Sequence, residues 1–319
     1  MIKVVSTLKD VDGKNAITIG THNGIFHSDE VLACAIYYLL WYGYQVYIVR
    51  SRNLEELQKC TIVVDIGGGA FDHHMAGFNR TRENGIKYAS AGLVWEAFGR
   101  KLLEKIKDTY FSEYEIDLDK VFQVFDDKVI SVVDREDNGV PCDMPNCFSF
   151  IPSFRPLWYE TDPIVFNGQF DTALKFTVGI LVAELKSCMA KVATEQILRD
   201  NWMNYDLFHD GILEIPSQTM DWVDTVIGFN LSVPCEFAKV NFVMFPYPAG
   251  GWAAQCVPPS FDDKFGQRIS FPKAWAGKTD ELPEITGVPT ATFCHNGCFF
   301  VRAKEKDDVT ALCKLAMNR

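Results

Sequence analysis

The chain has 319 residues, 48% hydrophobic and 23% charged, the balance of a globular protein with room for two domains and not of a disordered or fibrous one. Its formal net charge of −11 excludes a broad basic surface for non-specific nucleic-acid binding, though not a local cationic site whose charge comes from metal. Apolar runs such as Val31 to Trp41 fall short of the about 20 residues a membrane span requires, and Met1 to Asp10 has neither a signal-peptide core nor a transit pattern, so the cytoplasm is the expected compartment.

Ala16 to Thr21 reads as a buried strand, followed by a polar turn and an apolar helix over Val31 to Leu40. Gln45 to Arg50 alternates like a strand, Asn53 to Lys59 forms a short helix, and Thr61 to Ile66 is a β-branched strand running into Gly67, Gly68 and Gly69. This β-α-β-α-β order predicts an α/β fold with a parallel sheet flanked by helices. Helices over Ser90 to Ile106 and Asp117 to Asp134 would cover that sheet, the first with Leu93, Val94, Ala97, Phe98 and Leu102 on one side.

After Gly139 five prolines interrupt the chain, whereas Phe170 to Met203 carries almost no breaker and predicts one long helix, taken as a link (about 168–203) between an N-terminal domain, 1–203, and a smaller α+β domain, 204–319. The second domain has β-rich pieces at Gly211 to Ile215, Phe242 to Pro246, Trp252 to Val257 and Thr292 to Val301, closed by a helix at Asp307 to Met317. Internal repeats and low-complexity tracts are absent. The ten cysteines, scattered from Cys34 to Cys313, read as reduced thiols and not as a disulfide scaffold.

Of six histidines, four (His22, His27, His73 and His74) fall in the first quarter, each close to an aspartate. His22 follows the first strand, in the run His22-Asn23-Gly24-Ile25-Phe26-His27-Ser28-Asp29-Glu30, and Asp65 closes the third strand before Asp72-His73-His74. These side chains should emerge at the carboxyl edge of the sheet, where open α/β sheets bind ligands. A further run, Val133-Asp134-Arg135-Glu136-Asp137-Asn138-Gly139, adds carboxylates.

Mixed imidazole and carboxylate donors suit Mn²⁺ or Mg²⁺, and their number exceeds what one ion needs, so two ions are expected. One His-Asp pair at a helix start is usually a cap, and His209 is read that way. Independent caps would not coincide at successive strand ends of one sheet. Zinc on Cys142 and Cys147, or on Cys294, His295 and Cys298, lacks matched CxxC pairs.

Asp72-His73-His74 after a strand ending in Asp65 resembles the signature of the DHH phosphoesterases. The His22 to Glu30 run, with histidine where most of them carry aspartate, resembles the melanocyte-proliferating-gene family of DHH-type hydrolases. Val64-Asp65-Ile66-Gly67-Gly68, Ser90-Ala91-Gly92-Leu93, Phe98-Gly99 and Asp134 to Gly139 are similar to that family, as are Gly250 to Pro258, Trp275-Ala276-Gly277 and Phe293-Cys294-His295.

The resemblance implies a DHH domain followed by a substrate-binding C-terminal domain, and 3′-to-5′ exonuclease activity on short RNA or nucleotides. It implies metal ligands at His22, His27, Asp29, Asp65, His73 and Asp134, with Asp137 an alternative to Asp134. Asp65 would bridge the ions, Asp72 would orient His73, and His74 would face the scissile phosphate or a ligand position.

Other DHH proteins carry Gly-Gly-His where this chain has Gly250-Gly251-Trp252; Arg268 and His295 are the expected phosphate-binding replacements, and Trp252 or Trp275 would stack on a base or pack in the core. A nucleotide or pyrophosphate phosphohydrolase and a non-catalytic protein stabilised by metal are the competing readings.

Overall fold

A computed structural model describes residues 2–13, 15–141, 143–203, 208–233 and 239–318. The chain divides into two compact units, Met1–Met189 and Ala190–Arg319.

The N-terminal unit is built on a four-stranded, all-parallel sheet with strand order β1-β3-β2-β4. The strands are β1 (Ile2–Val5), β2 (Ile17–Thr21), β3 (Val46–Arg50) and β4 (Ile62–Val63). Every residue of β3 is buried, as expected of an inner strand of a covered parallel sheet. The α/β reading therefore holds, with β1 as an additional edge strand.

Helix α1 (Ser28–Leu40) joins β2 to β3, and the one-turn α2 (Leu54–Leu57) joins β3 to β4. Val31 to Leu39 are all buried, so α1 has no solvent face, and α3 (Ser90–Tyr110) packs against it. Helices α4 (Leu118–Phe125) and α5 (Ser131–Asp137) are separated by a widened π turn over Asp126–Ile130, where the sequence predicts one helix.

Because β2, β3 and β4 are parallel, their carboxyl ends share one edge. The chain leaves β2 toward β3 on one side, and β4 pairs with β2 on the other, which makes this edge a topological switch point.

Helix α6 (Pro163–Met203) contains the boundary between the units. The C-terminal unit holds a mixed six-stranded sheet of order β5-β6-β7-β8-β10-β9. Its elements are β5 (Phe208–His209), β6 (Ile212–Glu214), α7 (Val223–Ser232), β7 (Phe242–Pro246), β8 (Trp252–Cys256), α8 (Leu282–Thr286), β9 (Ala291–Cys294), β10 (Phe300–Ala303) and α9 (Lys306–Met317).

Alternation along β7 sends Phe242 and Met244 into a core with Val309 and Leu312 of α9, and Val243 and Phe245 into a second core with Trp222 and Val226. Both faces of the sheet are thus covered. Among the described residues, no helix is long and apolar enough to cross a membrane.

Candidate metal centre

The loop after β2 turns back through Gly24 (φ +88°) and carries His22 and His27 to the start of α1. The His27 N–H donates to both carboxylate oxygens of Glu30, at 2.9 and 2.7 Å, a cap that holds Glu30 at the helix N-terminus. Asp29 beside it is likewise fully buried. The positive end of the helix dipole favours carboxylates at such positions, but burying two adjacent ones demands more compensation than a dipole supplies.

Asp65 stands two residues beyond β4 in the left-handed region, φ +61°, which aspartate tolerates better than most residues. One carboxylate oxygen lies 3.1 Å from His22 Nε2; the other lies 3.2 Å from His73 Nε2 and 3.2 Å from His74 Nδ1 and accepts the Ser90 hydroxyl at 2.9 Å. Asp65 therefore touches three of the four clustered histidines.

Asp72 takes a different place from the one expected. It accepts the backbone N–H groups of Gly68 (2.8 Å) and His74 (2.9 Å) and approaches the His74 ring, so it shapes the loop rather than orienting His73. A carboxylate two residues before an N–H closes this kind of local turn readily, and that short-range demand takes its oxygens.

The structure also separates the two aspartates that the sequence leaves open. Asp137 lies 3.2 Å from His73 Nε2 and groups with His27 and Asp29. Asp134 does not join them: Arg82 holds one of its oxygens at 2.7 Å and the Gly92 N–H holds the other at 3.0 Å. Arg82 also forks onto Asp126 at 2.8 and 2.9 Å. Burial pushes the Asp134 carboxyl up to about 7 against the pull of the Arg82 guanidinium beside it. Asp134 thus anchors α3 and α5 behind the cluster.

Four overlapping sets of donors result: His22, His27 and Glu30; Asp29, Glu30 and Asp65; Asp65, His73 and His74; and His27, Asp29 and Asp137. Within each, ligand atoms lie within 4.8 Å of one another. Glu30, a member of two sets, was not among the expected ligands; its signal was a capping residue three positions after His27.

The electrostatics show what this crowding requires. Burial, then the carboxylates of Asp65, Glu30 and Asp137, push Asp29 well above the usual carboxylate range. Burial would lower His22, but Asp65 and Glu30 outweigh it and raise the ring to about 10; His73 is raised against burial mainly by Asp65. Asp65 is held below its ordinary value by His22 and His73 in spite of burial.

Two buried atoms, Asp29 Oδ1 and His73 Nε2, have no hydrogen-bond partner, the second despite carboxylate oxygens 3.2 Å away. Carboxylate oxygens and imidazole nitrogens gathered in this way could hold a divalent cation, and such a mixture of donors suits Mn²⁺ or Mg²⁺.

The other expected site residues belong to the C-terminal unit. Arg268 lines a cavity of about 650 Å³ with Asp210, Asn241 and Lys314, and its Nε donates to Asn241 Oδ1 at 3.4 Å. His295 is exposed in the turn between β9 and β10, which the sequence reads as one strand; its Nδ1 accepts the Gly297 N–H at 3.0 Å.

Gly250 and Gly251 form the β7–β8 turn, and a Cβ on Gly251 would meet the Ala303 carbonyl at 2.6 Å, a backbone reason for glycine. Trp275 is buried against Phe271 and offers no face to a base, while Trp252 is half-buried beneath Lys306. Cys142 and the His209 side chain lie outside the described residues. Among described residues, no cysteine joins a metal-binding group.

A family model named MYG1_exonuc and described as "Uncharacterised protein family (UPF0160)" matches residues 18–317. The mouse MYG1 exonuclease is 30% identical over 314 residues, covering 89% of this chain and 79% of the mouse protein. The Saccharomyces cerevisiae MYG1 protein is 29% identical over 338 residues (96% of this chain, 97% of the yeast protein), and the Dictyostelium discoideum MYG1 protein is 27% identical over 328 (95% and 97%). No solved structure matches the chain.

Proposed function

Because the chain belongs to the MYG1 family, we propose that it is a metal-dependent phosphodiester hydrolase of DHH type, an exonuclease that removes nucleotides from the 3′ end of RNA. One observation carries this reading: four histidines and four carboxylates from separate segments converge at the carboxyl edge of a parallel sheet, with buried acceptor atoms left unpaired. The exonuclease name of the mouse relative supports a nucleic acid as the substrate.

His22, His27, Asp29, Glu30, Asp65, His73 and Asp137 are the residues that would hold a pair of divalent cations, Mn²⁺ by preference or Mg²⁺, with Asp65 shared between them. Such cations, when bound, supply the Lewis acidity that makes an attacking water a better nucleophile and offsets charge on the phosphate.

The chain's own contribution is placement. Ser90 fixes one Asp65 oxygen, and the Asp72 loop fixes the His74 backbone. His74 keeps its Nδ1 toward Asp65 and Asp72, which leaves Nε2 of this largely exposed ring to donate to a phosphate oxygen.

The test combines metal analysis of the purified protein with hydrolysis of 3′- and 5′-labelled RNA, dinucleotides and pyrophosphate in Mn²⁺ and Mg²⁺, beside Asp65→Asn. The expected result is stoichiometric metal, mononucleotide release from the 3′ end, and loss of activity in the variant. Cleavage of pyrophosphate alone would replace the exonuclease with a pyrophosphohydrolase. Full activity in Asp65→Asn would remove the cluster from the chemistry.

A further inference from the structure

A phosphodiester brought to this cluster meets mostly negative side chains, so something nearby must receive its charge. Beside the cluster, within the N-terminal unit, lies a cavity of about 300 Å³ lined by His27, Ser28, His74, Glu136, Asp137 and Arg155, with Val133 and Pro152. Arg155 is the sole lysine or arginine among these residues.

The segment bearing it is anchored. Phe148 and Ile151 are fully buried, and the Ser28 hydroxyl at the start of α1 donates to the Phe148 carbonyl at 3.4 Å. A short 3₁₀ turn, Ile151–Phe154, then delivers Arg155 in the extended conformation that a following proline favours.

Arg155 Nε donates to the Phe26 carbonyl at 2.8 Å, which ties the guanidinium to the loop that carries His22 and His27. Its two terminal nitrogens make no hydrogen bond or ion pair with any described residue. The acids lining the cavity are otherwise engaged, Glu136 with the Asn146 amide at 2.6 Å and Asp137 toward His73 at 3.2 Å. A planar fork of N–H donors, held at one nitrogen and open at the others, suits the non-bridging oxygens of a phosphate.

Just beyond it the chain closes a tight turn. The Leu157 N–H donates to the Glu160 carboxylate at 2.7 Å, and the Glu160 N–H donates to the Leu157 carbonyl at 2.9 Å. That turn presents Trp158 at 91% exposure, edge-on to Tyr159 at 5.5 Å. A tryptophan so exposed adds nothing to a core. Its indole face fits stacking on any base, an interaction open to a single strand and closed to pyrophosphate.

We propose that Arg155 binds a substrate phosphate in this cavity and that Trp158 stacks on the adjoining base, so that the stretch from Arg155 to Tyr159 guides a single nucleic-acid strand to the metal centre. This inference rests on the phosphodiesterase reading above and adds the residues that select the substrate.

The test uses the full-length protein in Mn²⁺ with short single-stranded RNA, and wild type is compared with Trp158→Ala, Arg155→Lys and Arg155→Ala. Melting curves and sedimentation are recorded for each. Loss of the stacking face should raise KM roughly fivefold to a hundredfold with kcat retained. Arg155→Ala should raise KM by about tenfold to a hundredfold, the worth of a charge-assisted hydrogen bond, with Arg155→Lys between it and wild type.

If Arg155→Ala does not fold, Arg155→Lys and the exposed Trp158→Ala still decide the question. Wild-type KM in both overturns the inference and leaves the phosphodiesterase reading standing. A changed oligomeric state in Trp158→Ala with KM unaltered also overturns it, because the indole would then be a protein contact. A wild-type protein that cleaves no phosphodiester removes both.

Discussion

Replacing Arg82 by methionine tests the assignment of Asp134 to the scaffold. The guanidinium makes three hydrogen bonds of 2.7–2.9 Å to Asp126 and Asp134, and the side chains are 5%, 12% and 0% exposed. Removing one partner of a buried ion pair costs about 3–5 kcal/mol, because the remaining charge is left uncompensated. Asp126 can regain some water, and Asp134, already raised to about 7, can take up a proton, so the lower end, about 3 kcal/mol, is expected.

At about 2–4 °C per kcal/mol for a unit of this size, calorimetry should show the N-terminal transition falling by roughly 6–12 °C. The double variant Arg82→Met, Asp134→Asn should be less destabilised than the sum of the singles, by roughly 0.5–3 kcal/mol. A fall of under about 2 °C, or strict additivity, would refute the claim that Arg82 and Asp134 compensate one another.

The packing of α3 makes a sharper contrast. A Cβ at Gly92 would lie 1.9 Å from Asp134 Oδ2, so Gly92→Ala should destabilise by about 1–3 kcal/mol, whereas Gly179 in α6 has nothing within 4 Å and Gly179→Ala should stabilise by about 0.5–1 kcal/mol. Urea titration of the two variants checks the difference in sign.

In the C-terminal unit, the Lys264 hydrogen bond, aided by Lys191, holds Asp224 below its ordinary value in spite of its burial. A lowered folded-state value means stability present above the unfolded carboxylate pKa and lost as pH falls through the folded one. Asp224→Asn should therefore flatten the acid side of a melting temperature against pH curve; an unchanged slope would show that this partly exposed pair contributes nothing.

Much of the fold was legible because burial imposes periodicity. The strands β2 and β3 and the helix α1 follow from apolar runs of the right length, α6 follows from a stretch almost without breakers but begins at Pro163 instead of Phe170, and β7 occupies the expected residues. What escaped was governed by context. The edge strand β1 is four residues with Lys3 among them and gains its conformation by pairing with β3. Helix α7 is rich in β-branched residues and contains Gly228, so tertiary packing of Trp222 and Val226 outweighs its weak helical propensity. The β9–β10 turn carried an Asn296-Gly297 pair, a hairpin signal within what was read as one strand.

The sequence pointed to most of the residues that cluster here, Glu30 excepted, but not to the contacts each of them makes. Asp134 and Asp137 stand three residues apart on one short helix, a spacing that puts both on neighbouring faces, and nothing local separates a cluster carboxylate from a buttress. The distinction is made by Arg82, fifty-two residues before Asp134, whose charge must be matched wherever it is buried. Asp134 meets that demand and in doing so takes the Gly92 N–H, which fixes where α3 begins and brings Ser90 onto Asp65. Asp137, one helical turn on, is left facing His73. With Asp134 held by Arg82 and the Gly92 N–H, the ion pair behind the cluster leaves Asp137 as the carboxylate of this helix that faces the histidines.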